Sequence, residues 1–156
     1  MSKFAARVLL ALLCAWQFGA TAALAQTPAA EDLRDGTIKT VQGNVTVVRG
    51  DTRIEAKVGG AVHASDSIQT GANSATAVTL MDGTELSIGP DSMIELSTFR
   101  FNPTTHDGNV LVNMLRGTLR MATGLIAKLK PEQVKVTTPT TVIGVRGTDF
   151  IVEVRP

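Results

Sequence analysis

Residues Ala75 to Ser92 read ATAVTLMDGTELSIGPDS. Val78 and Leu80 share one parity before Asp82-Gly83, and Leu86 and Ile88 share one after it. A period of two marks strands with one buried face. Asp-Gly between two such runs predicts a tight hairpin, because glycine accepts the positive φ that such turns need. The same alternation extends in both directions. Val45 with Val47, Ile94 with Leu96, and Phe150 with Val152 and Val154 each keep one parity, with Glu153 on the opposite face. Turn signals separate the runs at Arg49-Gly50-Asp51, Gly59-Gly60, Thr70-Gly71, Gly89-Pro90-Asp91, Asp107-Gly108 and Arg116-Gly117. The expected class is all-β, either a compact two-sheet sandwich or a short β-roll of antiparallel or coiled strands. Gly83, Gly108 and Gly117 each precede a strand-like run, which suits a roll's corners and a sandwich's hairpins equally. One short helix is expected around Ala122 to Leu129, ended by Pro131.

The start of the chain reads as an address. Lys3 and Arg7 precede an apolar run from Val8 to Phe18, and Ala23-Leu24-Ala25 offers small residues for a signal peptidase. The expected organisation is a cleavable signal peptide over 1–25, a mobile tail over 26–36 and one all-β domain over 37–156. Cleavage after Ala25 predicts a periplasmic protein with no integral span in the mature chain. The apolar run is shorter than the ~20 residues a span needs. Cys14, the one cysteine, would leave with the leader, and disulfides and thiolate chemistry with it.

Charge and aromatic content narrow the partners. Removing Lys3 and Arg7 takes the formal charge from +1 to −1. No basic field is left to grip a nucleic acid backbone. There is no tyrosine, and Trp16 lies in the leader. Stacking platforms are reduced to Phe99, Phe101 and Phe150.

The region Val134 to Val154, VKVTTPTTVIGVRGTDFIVEV, supplies the family signal. Two strand-like runs, Val134–Thr137 and Phe150–Val154, flank a hinge containing Pro139, Gly144 and Gly147. The run from Thr138 to Phe150 resembles the C-terminal signature of the FecR domain. Val58 to Gly71 is similar to an earlier segment of that family, with Gly60 and Ser65 where aspartate and glycine are usual. Ala75 to Ser92 and Leu115-Arg-Gly-Thr-Leu match further pieces, and Gly43-Asn-Val-Thr-Val looks like the opening strand. The resemblance makes Asp82, Gly83, Gly117, Thr138, Pro139, Gly144, Gly147, Thr148 and Phe150 structural signature positions. It implies a periplasmic fold used in protein–protein contact, with an envelope receptor or a membrane sensor as partner. Iron-signalling members carry a cytoplasmic segment, a span and a docking tail. This sequence has a leader at its start and stops soon after its last strand.

Candidate chemistry is sparse. His63 and His106 sit in different turns, with no metal-ligand spacing around them. Asp66, Asp82 and Asp91 lie beside turns, where aspartate accepts backbone N–H bonds. No Gly-x-Ser-x-Gly elbow occurs. The chain is therefore expected to be non-enzymatic and to need no cofactor. Arg146, between Gly144-Val145 and Gly147-Thr148, is either a partner contact or a lock on the last hairpin. Partner-binding candidates are Arg146, Gly147, Thr148, Phe101 and Arg100. The alternative function is a small-ligand or cell-wall glycan binding protein using Phe99 and Phe101 with Arg100 and Asn102. Against it, Phe99 and Phe101 share a parity that suits core packing.

Overall fold

The computed structural model describes residues 33–146 and 149–155. The expected leader, most of the expected tail, and the candidates Gly147 and Thr148 lie outside the described residues. The strands are β1 (Gly36–Gln42), β2 (Val45–Arg49), β3 (Thr52–Glu55), β4 (Ala61–Val62), β5 (Ser67–Thr70) and β6 (Ala75–Leu80). They continue with β7 (Glu85–Ile88), β8 (Met93–Phe101), β9 (Gly108–Ala122), β10 (Val134–Thr137), β11 (Val142–Gly144) and β12 (Asp149–Val154). One short helix, α1 (Leu125–Leu129), is followed by a 3-10 turn at Pro131–Gln133. Leu33 to Asp35 adjoin the sheet, where the Asp35 N–H bonds the Val62 carbonyl at 2.9 Å.

All twelve strands of the described residues belong to one curled sheet, folded along a crease. One arm, called here the β8 arm, runs β3-β2-β5-β8 and continues through the first half of β9 to β10 and β11. The other, the β7 arm, runs β4-β1-β6-β7 and continues through the second half of β9 to β12. Neighbours pair antiparallel except β9 with β10, which pair in parallel through the crossover containing α1. The apolar faces of the two arms meet in the core, built from residues such as Ile68, Ile94, Val112, Val78, Leu86 and Leu119.

Small hydroxyl side chains hold the crease. Ser74 Oγ accepts the Asn44 N–H at 2.9 Å where β1 passes to β2. Thr70 Oγ1 accepts the Ser92 N–H at 2.9 Å and donates to the Gly89 carbonyl at 2.6 Å. Ser92 Oγ accepts the Thr118 N–H at 3.0 Å. These bonds satisfy backbone groups that the bend withdraws from the ladder.

At Gly117 the sequence reading needs correction. Arg116-Gly117 is not a turn between strands: the 15-residue strand β9 continues through it. Before it Val110, Val112 and Met114 point inward, and after it Leu119 and Met121 do. The inward parity therefore changes inside one strand. Gly117 has φ +95, and a Cβ there would lie 2.4 Å from Ser92 Cα. Only glycine allows both the bend and the approach.

A second correction concerns the hinge. Gly144 ends β11, a strand the sequence reading did not foresee, and pairs with Lys135. Nothing lies within 4 Å of where its Cβ would be. Pairing with β10 here outweighs glycine's preference for turns. The helix starts later than expected because Gly124 is pressed against the hairpin after β6. Its N–H bonds Thr84 Oγ1 at 3.0 Å, and the Leu125 N–H bonds the Asp82 carbonyl at 2.8 Å. The buried Ile126 reaches the other arm beside Gly108, so α1 bridges the two arms opposite the crease.

Candidate interaction surface

Three of the sequence candidates lie toward the end of the β8 arm farthest from the crease, on β8 and just after β11, with β9 and β10 between them. Arg100 pairs with Asn109 and Phe101 with Gly108. Arg146 reaches the same end along another route. The Val145 N–H bonds the Val134 carbonyl at 3.2 Å, Val134 pairs with Val110, and Arg146 follows one residue on. Arg100 and Arg146 are both exposed, and among the described residues neither has a hydrogen bond or an ion pair. The lock on the last hairpin therefore finds no bond among the described residues. Beside them lies a shallow depression lined by Arg100, Asn109, Lys130 and Gln133. Lys130 is held by an ion pair with Asp107. That contact pulls the Asp107 carboxyl below the usual range and raises the Lys130 ammonium. Among the described residues β11, which Arg146 follows, leaves one side of its backbone unpaired, with Val142 exposed.

The aromatic pair is not an open platform. Phe99 is buried, and Phe101 packs partly against the core. The His106 ring lies over Phe101, with centroids 6.3 Å apart and planes 10° apart. His106 itself holds φ +56 in the loop after β8.

The signature positions have structural surroundings. Asp82 is buried, and its carboxylate accepts the Thr84 N–H at 3.0 Å and the Thr84 hydroxyl at 2.8 Å. Gly83 supplies φ +83 in the same turn. Thr138 and Pro139 follow the end of β10, where Thr138 Oγ1 accepts the Thr141 N–H at 3.1 Å. Phe150 faces the core in β12 and pairs with Met121. Asp91 holds φ +50 at the crease.

One charged site escaped the sequence reading. Arg49 grips Asp66 through two bonds, Nε to Oδ1 at 2.8 Å and Nη2 to Oδ2 at 2.7 Å. The His63 N–H also bonds Oδ2, at 2.8 Å. Burial pushes the Asp66 carboxyl up, but the Arg49 fork and the His63 N–H together outweigh it and hold it below the usual range. Asp66 was legible as a turn aspartate. Its partner is 17 residues away and was not. Ser65 beside it takes φ +71, the conformation for which glycine is the ordinary choice. Among the described residues no three His, Cys, Asp or Glu side chains gather in a way that could hold a metal ion. Among the same residues no helix is long and apolar enough to cross a membrane.

A model of the FecR protein family matches residues 66–156. The match covers more than half of the chain and begins at Asp66. The look-alike opening strand and Val58 to Ser65 precede it. No curated protein and no solved structure matches the chain.

Proposed function

Because the chain belongs to the FecR protein family, we propose that it is a non-catalytic periplasmic module that holds another envelope protein, in a signalling or regulatory role. The proposed contact is the far end of the β8 arm, with Arg100 and Arg146 reading carboxylates on the partner. One observation carries this reading: two exposed guanidiniums without a partner among the described residues stand at the same end of the strands β8 to β11, and Arg146 adjoins the β11 edge, which is unpaired among those residues. Arginine matches a carboxylate with two parallel N–H donors, and an open edge accepts an extended segment. Glycan binding has weaker support, because Phe101 packs partly on the core and lies beside the near-parallel ring of His106.

The test is photo-crosslinking in intact cells, with the probe placed at Arg146 and, as a control, at Arg53 on the opposite edge of the same arm. The proposal expects one envelope protein captured from Arg146, lost when Arg100→Glu is added, and not captured from Arg53. Equal capture of that same protein from both positions, or none from Arg146, would overturn it; a second copy of this chain captured from Arg53 would not.

A further inference from the structure

The β8 arm has a second free edge at its other end. β3 pairs with β2 on one side and, among the described residues, with nothing on the other. Its sequence is Thr52-Arg53-Ile54-Glu55, and all four residues are exposed. Edge strands ordinarily carry charge that discourages pairing. Here the two charges are opposite in sign and flank one apolar residue, a pattern that favours a particular partner.

The phase of the ladder fixes which backbone groups are available. The Ala56 N–H bonds the Val45 carbonyl at 2.9 Å. Stepping two residues along the antiparallel ladder, Ile54 with Val47 is also a hydrogen-bonded pair. The N–H and C=O groups of Arg53 and Glu55 therefore point away from β2, toward the open side. Ile54 shares a face with the buried Val47 and stands, 40% exposed, over a cleft lined by Ile38, Val47 and Ala56. Arg53 and Glu55 lie on the outer face and form no ion pair among the described residues.

We propose that the β3 edge binds the β3 edge of a second copy of this chain, antiparallel about a two-fold axis through Ile54. Arg53 then faces Glu55 of the other copy, and Glu55 faces its Arg53. Both are hydrogen-bonding pairs, so four backbone bonds form with every donor and acceptor in phase. Ile54 meets its own counterpart in the intervening non-bonded pair, where side chains come closest. The contact is isologous and closes on itself, so it yields a dimer and not a fibre. The β12 edge lacks this property when centred on its own exposed Ile151, because Asp149 would face Glu153 of the second copy. β3 and β11 end the β8 arm on opposite sides, so pairing at β3 leaves the Arg100–Arg146 surface open.

Sedimentation velocity over a concentration series, on the protein as it accumulates in the cell, tests this. The wild type is expected to pass from monomer to dimer. Arg53→Glu places like charges opposite one another twice and should weaken the dimer by about tenfold or more. Adding Glu55→Arg to Arg53→Glu restores opposite charges and should restore the dimer. Ile54→Cys in a Cys14→Ser background should give a disulfide-linked dimer on mild oxidation, while Thr105→Cys in the same background should not. A protein that stays monomeric at its highest soluble concentration would overturn the proposal. So would a dimer indifferent to Arg53→Glu, or one that the double exchange fails to recover.

Discussion

The crease and the outer edges of this sheet are built by opposite rules. At the crease Thr70, Ser74 and Ser92 are at most 5% exposed, and each hydroxyl is tied to a neighbouring segment. At the edges Arg53, Glu55, Val142 and Ile151 stand in solvent, on strands that have a pairing partner on one side only among the described residues. The hydroxyls of Thr70, Ser74 and Ser92 are enclosed, and a Cβ at Gly117 would meet Ser92, so a change at these positions must move backbone. A change at an edge has room to relax. The fold is thus specified along a line, and the edges are left for contact with other molecules.

The comparison breaks first, if it is wrong, at Gly117. Gly117→Ala adds a Cβ 2.1 Å from Ser92 Oγ and 2.4 Å from its Cα, at φ +95. We expect a loss of about 3 kcal/mol or more in urea unfolding, against near neutrality for Gly144→Ala at the β11 edge. Equal effects would remove the distinction.

Next in size is the Arg49–Asp66 pair. Asp66→Asn should cost roughly 1–3 kcal/mol at neutral pH, at the low end because the Arg49 side chain is 43% exposed. The folded-state pKa of Asp66 is depressed, so its contribution is full above the unfolded value of about 3.9 and fades as pH falls through the lower folded value. Urea midpoints should drop below about pH 4 in the wild type and drop less in Asp66→Asn.

Ser65→Gly should work in the opposite direction. Its φ of +71 strains a serine, and relief is expected to add up to about 1 kcal/mol. Thermal denaturation would show it as a raised midpoint. The smallest effect is expected at the edge pair Arg120–Asp149, bonded at 3.0 and 2.5 Å but more than 40% exposed at both side chains. Arg120→Ala should leave the urea midpoint nearly unchanged, and the difference should shrink further in high salt.

Much of the architecture could be read from alternation and turn chemistry. Asp82-Gly83 marks a real hairpin, and the inward positions of β2, β6, β7 and β12 follow the parity seen in the sequence. What stayed hidden has a common physical cause. A glycine ahead of an alternating run looks the same whether the chain reverses or bends through, so Arg116-Gly117 read as a turn. A bulge shifts parity without any local signature, as between Glu95 and Thr98 in β8. The parallel placement of β10 depends on α1 crossing between the arms, a tertiary fact. On the candidate surface, Arg100 and Arg146 were legible as residues but not as members of one row across β8 to β11. Their common address comes from the register of β8, β9, β10 and β11, which no local pattern encodes.

The long strand β9 has one further consequence. It is laddered to β8 and β10 in one half of its length and to β7 and β12 in the other. Melting either arm would strip partners from a strand that the other arm still needs. The two arms should therefore lose structure in a single cooperative transition, with no half-folded species accumulating between them.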